Sequence, residues 1–289
     1  MGKIAFQGEL GANSHIACQT QYGDMEPLPC ATFDDAFAAL KSGEADLAMM
    51  PVENTVAGRV ADIHRLLPGS NLYIIGEHFM RVNHCLLALP GTKESDLTHV
   101  HSHEMALGQC RNIIAELSLT PQVAADTAGS ARDLSASQTP NHGAIATKLA
   151  GEIYGLDVLR ENIEDSQSNT TRFLVMSATP DDADPNASPN ASDAPSDEII
   201  TSFIFRVKNT PSALYKALGG FATNNVNMTK LESYQPNGFL ATQFYADIEG
   251  HPDSEPVRLA LEELNFYCSK MDILGVYKAA PERAALKDA

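Results

Sequence analysis

Four short polar clusters, each next to an apolar strand-like segment, hold the residue types in this chain that can orient an anion and donate hydrogen bonds. They are Glu53-Asn54-Thr55 after Met49–Val52, Ser102-His103-Glu104 after Val100, Asp126-Thr127 after Val123–Ala125, and Ser166–Arg172 leading into Phe173–Met176. In open α/β sheets, ligands collect where strand ends meet helix starts, so these places come first. Side chains of Asn, Ser, Thr and Gln, with free helix N–H groups, donate to carboxylates, and Arg172 adds a cation able to hold one. Gln109 lies seven residues beyond Ser102, about two turns along the helical pattern that follows. Taken singly, each cluster also reads as an ordinary capped loop, since Asn and Thr are common caps and Thr favours strands.

His99, His101 and His103 alternate, so on a strand they would share one face, a spacing that metal hydrolases also use. A metal centre needs a further ligand and an orienting outer shell, and no residue of the sequence is marked out for either task. The expectation is a hydrogen-bonding histidine cluster, with no metal and no cofactor.

The elements that must position these residues follow from local pattern. Strand-like runs at Lys3–Phe6, Asp46–Val52, Leu72–Ile75, Cys85–Leu89, Gln122–Ala125 and Arg172–Met176 alternate with helical patterns, the rhythm of open α/β sheets. The clearest helix starts at Thr32, with Asp35 three residues later, apolar Phe33, Ala36, Phe37 and Leu40 on one face, and Gly43 as terminator. The near-continuous strand pattern over Leu72–Leu89 suggests chain passing between two lobes, with a cleft between them. Residues 177–198 contain six acidic groups, no basic one, and much Pro, Ala and Ser, the composition of a flexible acidic linker. Beyond it, strand 199–207, helix 212–221, strands 226–234 and 239–248 about a Pro236-Asn237-Gly238 turn, helix 255–265 and strand 273–277 predict a βαββαβ ferredoxin-like unit. The expected domains are therefore 1–176, the linker 177–198, and 199–280.

Composition narrows the classes. A formal net charge of -17 with only 20 Lys and Arg disfavours a nucleic-acid partner. Five widely spaced cysteines without a Cys-x-x-Cys pair disfavour a disulfide framework or a zinc cage. No apolar run approaches the ~20 residues of a spanning helix, and Met1–Phe6 runs straight into a strand pattern, so a membrane role is not expected and a cytoplasmic location is.

In this order and spacing the four clusters resemble the prephenate dehydratase family, whose Thr-Arg-Phe hallmark matches Thr171-Arg172-Phe173 preceded by Asn169. Further family-like text includes Gly8–His15, Pro51–Asn54 and Tyr154-Gly155-Leu156. The resemblance implies two α/β lobes like those of type II periplasmic binding proteins, with prephenate bound between them. It makes Thr171 the catalytic residue and Asn54, Ser102, Gln109, Thr127, Arg172 and Phe173 substrate-binding residues. Where family members often have His-Pro-Gln after the serine, this chain has His103-Glu104-Met105. The C-terminal unit resembles the ACT regulatory domain, which implies an L-phenylalanine site at Ser212, Ala213, Leu214, Glu232 and Ser233 and feedback control of phenylalanine synthesis. Ser212, Tyr234 and Gln235 depart from the usual Gly-Ala-Leu and Glu-Ser-Arg-Pro motifs. The same resemblance implies a homodimer or homotetramer.

Two other functions fit the text: arogenate dehydratase, the same reaction on the amino analogue, and a non-enzymatic small-molecule binding or sensor protein. Limited proteolysis of the native chain is expected to cut first between Ser177 and Glu198, where little apolar surface is available for ordering. First cuts elsewhere, mapped by mass spectrometry, would show that this segment is docked.

Overall fold

The computed structural model describes residues 2–183, 199–234 and 242–283. Most of the acidic segment and the Pro236-Asn237-Gly238 turn, with Gln235, lie outside the described residues. The chain begins with β1 (Lys3–Gln7), α1 (Asn13–Gln21), β2 (Glu26–Cys30), α2 (Phe33–Ser42), β3 (Leu47–Asn54), β4 (Gly58–Arg59) and α3 (Ala61–Leu66). It continues through β5 (Tyr73–Arg81), β6 (Cys85–Ala88), β7 (His99–Ser102), α4 (Glu104–Gln109), α5 (Arg111–Glu116) and β8 (Thr120–Val123). Next come α6 (Thr127–Ser137), β9 (His142–Ala146), α7 (Lys148–Tyr154), β10 (Asp157–Glu161) and β11 (Thr170–Ser177). The last elements are β12 (Ile199–Val207), α8 (Ala213–Thr223), β13 (Met228–Tyr234), β14 (Gln243–Glu249), α9 (Glu255–Tyr267) and β15 (Cys268–Lys278). No described helix is long and apolar enough to cross a membrane.

Two compact units result, Met1–Val60 with Met80–Phe173, and Ala61–Phe79 with Leu174–Ala289, the division falling within β5 and β11. Two sheets organise the first unit: β2-β1-β3-β11-β5, with β4 on β3, and β10-β6-β9-β7-β8. Parallel pairs β1–β2, β1–β3, β7–β8 and β7–β9 confirm the open α/β reading. In the second sheet, alternate residues of β6 feed opposite cores: Leu86 and Ala88 pack with Val100, Leu107 and Ile145, whereas Cys85 and Leu87 pack with Ala131, Leu134 and Ala144. Burial on both faces explains why β6 reads as a continuous apolar run.

Helix α2 forms as its sequence dictates. Asp35 N–H donates to Thr32 Oγ1 and Thr32 N–H to Asp35 Oδ2, each at 3.1 Å, and Gly43 closes the helix at φ 77°. Strands β2, β9 and β10 were not expected. Glu26–Cys30 carries two prolines, which a central strand rejects, but β2 is the edge of its sheet, where a missing N–H costs least. The single helix expected after Ser102 is two short ones, broken at Cys110 (φ -126°, ψ 34°). The Asp165 carboxylate accepts from Arg111 N–H and Asn112 N–H, both at 3.0 Å, and so satisfies the second helix's start.

In the second unit the sheet order is β13-β14-β12-β15, the ferredoxin-like arrangement of a βαββαβ chain. Phe203, Phe205, Phe244, Val257 and Leu264 form its core with α8 and α9. The expected boundary at 176 does not match the division, because residues 61–79 group with the C-terminal module. His64 Nδ1 lies 2.8 Å from Tyr234 Oη and its ring meets Tyr245 edge-on. Glu77, its side chain fully buried, accepts from Arg283 Nε at 2.7 Å and Nη2 at 2.6 Å and from Ala280 N–H at 3.2 Å. Sequence proximity alone assigned this segment to the first domain; these contacts override it.

Gly275 on β15 is the tightest point of that packing, since a Cβ there would lie 1.8 Å from the Ile74 carbonyl oxygen. Gly275→Ala is expected to destabilise the chain by about 1–3 kcal/mol or more, the scale of overpacking. Urea denaturation checks this, and an unchanged midpoint would mean that β15 yields without cost.

Candidate active site

A cavity of about 320 Å³ lies within the first unit, lined by strand ends and helix starts from both of its sheets. Asn54 and Thr171 reach it from β3 and β11, His84 and Gln109 from the second sheet's side, and Asp126 and Thr127 from the start of α6.

The geometry starts at Asn54. Its Oδ1 accepts from Val56 N–H at 2.9 Å and from Ala57 N–H at 2.8 Å, so the amide cannot flip without losing both bonds. Its Nδ2 must then donate, and it does so to Asn169 Oδ1 and to Thr171 Oγ1, each at 2.8 Å. With Oδ1 of Asn169 occupied as an acceptor, its Nδ2 donates to Gln109 Oε1 at 2.9 Å. That same oxygen lies 3.0 Å from His84 Nε2, which must therefore carry the proton. Two backbone amides thus fix the direction of every bond in a network of five polar side chains.

Two consequences bear on chemistry. Thr171 Oγ1 accepts from Asn54, so its own proton is left for another partner on the cavity side. Donation into that oxygen also polarises the hydroxyl and makes it a better donor. Gln109 spends its oxygen twice and keeps its Nε2 group for the cavity.

His84 is buried, and its Nδ1 has no partner. Desolvation pushes its pKa below 6.5, opposed by the Gln109 bond and by Glu164. Glu164, itself buried, accepts from His84 N–H and from Arg81 Nη2, each at 3.0 Å, which anchors the start of β6.

Helix starts supply the remaining donors. Helix α1 has no side-chain cap and no acidic residue in its first turn, and Ala12, Asn13 and Ser14 line the cavity. The preceding turn is held by Gly11, whose N–H donates to His15 Nδ1 at 2.9 Å and whose carbonyl takes the Thr147 hydroxyl. Gly11 sits at φ 89°, and a Cβ there would lie 2.7 Å from Ala150 Cα. At α6, Asp126 caps Gly129 N–H with Oδ1 at 2.6 Å. The lining includes no Lys or Arg, so a bound anion would be held by helix N-termini and neutral donors.

Of the residues expected from sequence, Asn54, Gln109, Thr127 and Thr171 meet at this cavity. Three are placed elsewhere. Ser102 is fully buried and donates to the Ile145 carbonyl at 2.6 Å, a bond that ties β7 to β9. Phe173 is core. Arg172 is also buried, with Nη1 3.1 Å from Glu53 Oε1, and lies outside the cavity lining. The carboxylate that meets it is not a substrate's but that of Glu53, next to Asn54, which makes Arg172 a support for the β3 end. His84 was not singled out, because a lone His in an apolar run gives no signal until the chain folds, and Asn169, read as part of the hallmark, was given no contact of its own.

The histidine face also differs from expectation. His99 and His101 share a face of β7, but His103 is past the strand and caps α4 by accepting from Met105 N–H. The third ring is His142 of β9, stacked on both, with its Nδ1 2.7 Å from His101 Nε2. Among the described residues no group of three or more His, Cys, Asp or Glu could hold a metal ion.

Fold and site together define an α/β protein whose cavity is lined by hydrogen-bond donors of fixed direction, an arrangement suited to an anion. The prephenate dehydratase family profile matches residues 4–181, and the chain belongs to that family, lyases that act on prephenate. One relative, from Komagataeibacter europaeus, is a bifunctional N-acyl-homoserine lactone acylase/prephenate dehydratase, 48% identical over 97% of this chain and 97% of its own. Arogenate dehydratase 2 of Petunia hybrida is 35% identical over 95% of this chain and 71% of its own. A solved prephenate dehydratase from Arthrobacter aurescens, in complex with L-Phe, superposes with a TM-score of 0.83 at 29% identity, covering 97% of this chain and 91% of its own.

Burial lowers the pKa values of His15, His78, His84, His101 and His142 alike. An unfolded histidine titrates near the ordinary imidazole value of 6.5, so between the folded and unfolded values the unfolded chain binds more protons. The stability these groups supply is complete above 6.5 and falls as pH drops through it toward the folded values. The melting temperature is expected to decline from pH 7.5 to 5.5 and to decline less in His84→Gln. Equal slopes in both proteins would remove His84 from this linkage.

Proposed function

We propose that this chain converts prephenate to phenylpyruvate, CO2 and water, with Thr171 as the donor to the departing hydroxyl. The single observation behind the reading is the locked Asn54 amide, which takes the lone pair of Thr171 Oγ1 and leaves the hydroxyl proton for the substrate. In the reaction, the bond between the ring and its carboxylate breaks, its electron pair enters the ring, and the C–O bond at the opposite carbon breaks as the hydroxyl takes a proton and leaves as water. Aromatisation drives the step, so the protein has to orient the substrate and stabilise the developing charge on oxygen. Neutral donors and the starts of α1 and α6 suit the carboxylates, and Asp126 is the one acidic side chain among the lining residues. The same residues need no metal or organic cofactor for this chemistry.

A second reading, arogenate as substrate, is favoured by Asp126. Its Oδ1 is committed to the α6 cap, and the residue lines a cavity with no Lys or Arg in its lining, a place that suits an ammonium group. The petunia relative's name supports the same alternative.

Regulation is part of the proposal. The βαββαβ module has the topology of an ACT domain, and the L-Phe bound by the Arthrobacter protein supports phenylalanine as effector here. Ser212 is the residue before α8, at φ 62°, and Glu232 and Ser233 lie on β13. We assign the effector site to Ser212, Ala213, Leu214, Glu232 and Ser233, with assembly into dimers or tetramers through this module, in the cytoplasm.

Purified protein is expected to form phenylpyruvate from prephenate, and comparison of kcat/KM with that for arogenate, read as phenylalanine, ranks the two substrates. Thr171→Val should lower kcat by on the order of 10²–10³, the scale for losing one donor to developing charge, while Thr171→Ser retains most of it. Full turnover in the Val variant would remove Thr171 from the chemistry.

A further inference from the structure

The helix-free face of the C-terminal sheet carries a second cavity that the catalytic reading does not use. It measures about 230 Å³ and draws Ile204 and Arg206 from β12, Gln243 from β14, and Lys270 and Asp272 from β15. Pro68 and Gly69, just after α3, complete its wall, and every lining residue belongs to the second unit.

Strand register builds the polar floor. Arg206 pairs with Gln243 on one side and with Lys270 on the other, so guanidinium, amide and ammonium lie in one row across three strands. Arg206 is partly buried, and Nη2 donates to Gln243 Oε1 at 2.8 Å. Its Nε is buried without a hydrogen-bond partner. A buried donor on a cation left unmade costs free energy, which an anionic acceptor would recover. Asp272 answers the charge of Lys270, so the ion-pair balance of the cavity leaves Arg206 as the surplus cation. Pro68 and Ile204 supply apolar wall beside this donor.

We propose that this cavity binds a small organic acid, its carboxylate on Arg206 with Lys270 nearby and its apolar body against Pro68 and Ile204. A planar guanidinium matches a carboxylate, and the apolar wall favours an acid with a hydrocarbon part over a bare inorganic ion. The site shares no residue with the phenylalanine site assigned above or with the catalytic cavity. Its occupant would bridge the 61–79 segment and the sheet of the module, so binding stabilises their association by mass action.

The test is calorimetric titration of the full-length chain with benzoate, acetate and inorganic phosphate. Saturable benzoate binding is expected, tighter than acetate, and unchanged in Asn54→Ala, which separates it from the catalytic cavity. Arg206→Gln should weaken it about ten-fold or more, as for loss of a charge-assisted bond, while prephenate turnover stays at the wild-type level. Lys270→Ala, at an exposed position, should weaken it several-fold and serves as the deciding variant if Arg206→Gln fails to fold. Benzoate affinity unaltered by either substitution, or loss of it in Asn54→Ala, overturns the proposal. Phosphate binding that matches or exceeds benzoate shows a bare oxyanion site and overturns the organic-acid assignment.

Discussion

The catalytic unit depends on one small constraint, the capture of Asn54 Oδ1 by two backbone amides. Because Val56 N–H and Ala57 N–H are fixed by the turn after β3, the amide of Asn54 has one orientation, and the roles of Thr171, Asn169, Gln109 and His84 follow in sequence. A network whose directions are set by backbone needs no reorganisation when charge develops on substrate, which is the condition for electrostatic catalysis. It also explains the otherwise costly burial of Asn169 and His84, since each is satisfied only in this arrangement, apart from Nδ1 of His84.

Charge is handled by geometry instead of by counting residues. A chain with a net charge of -17 presents an anion with helix starts and neutral donors, and its nearby arginines are spent on carboxylates: Arg172 on Glu53 and Arg81 on Glu164. Both pairs hold segments that lead into the network, the end of β3 and the entry to β6. Removing either arginine would take a charged partner from a carboxylate next to the residues that must stay in place.

The second unit shows the same use of short polar contacts on an otherwise apolar frame. Helices α8 and α9 cover one face of its sheet with Phe203, Phe205 and Phe244, while the other face carries Ser202, Tyr245, Tyr277 and Asp247 in a buried hydrogen-bonded cluster. Residues 61–79 join this unit through His64, Ile74 and Glu77. Residue Val60, which lines the catalytic cavity, immediately precedes that segment.

Local sequence determined the parts of this protein whose physics is local. The Thr32–Asp35 capping box and Gly43 fix α2; alternating and continuous apolar runs fix most strands; the βαββαβ order fixes the C-terminal module. The hallmark around Thr171 and the position of Asn54 were legible as well, because family resemblance is a property of the text. Tertiary structure decided what depends on partners distant in sequence. Ser102 and Arg172 are polar types that suit a ligand, but a carbonyl on β9 and a carboxylate on β3 claimed them first. His103 alternates with His99 and His101, but the strand ended before it, and His142 from 41 residues past His101 took its place. His84 and Asn169 became part of the site only when folding brought Gln109 between them. A hydrogen bond is satisfied by whichever group arrives at about 3 Å in the right direction, and sequence spacing does not encode that arrival for residues a hundred positions apart.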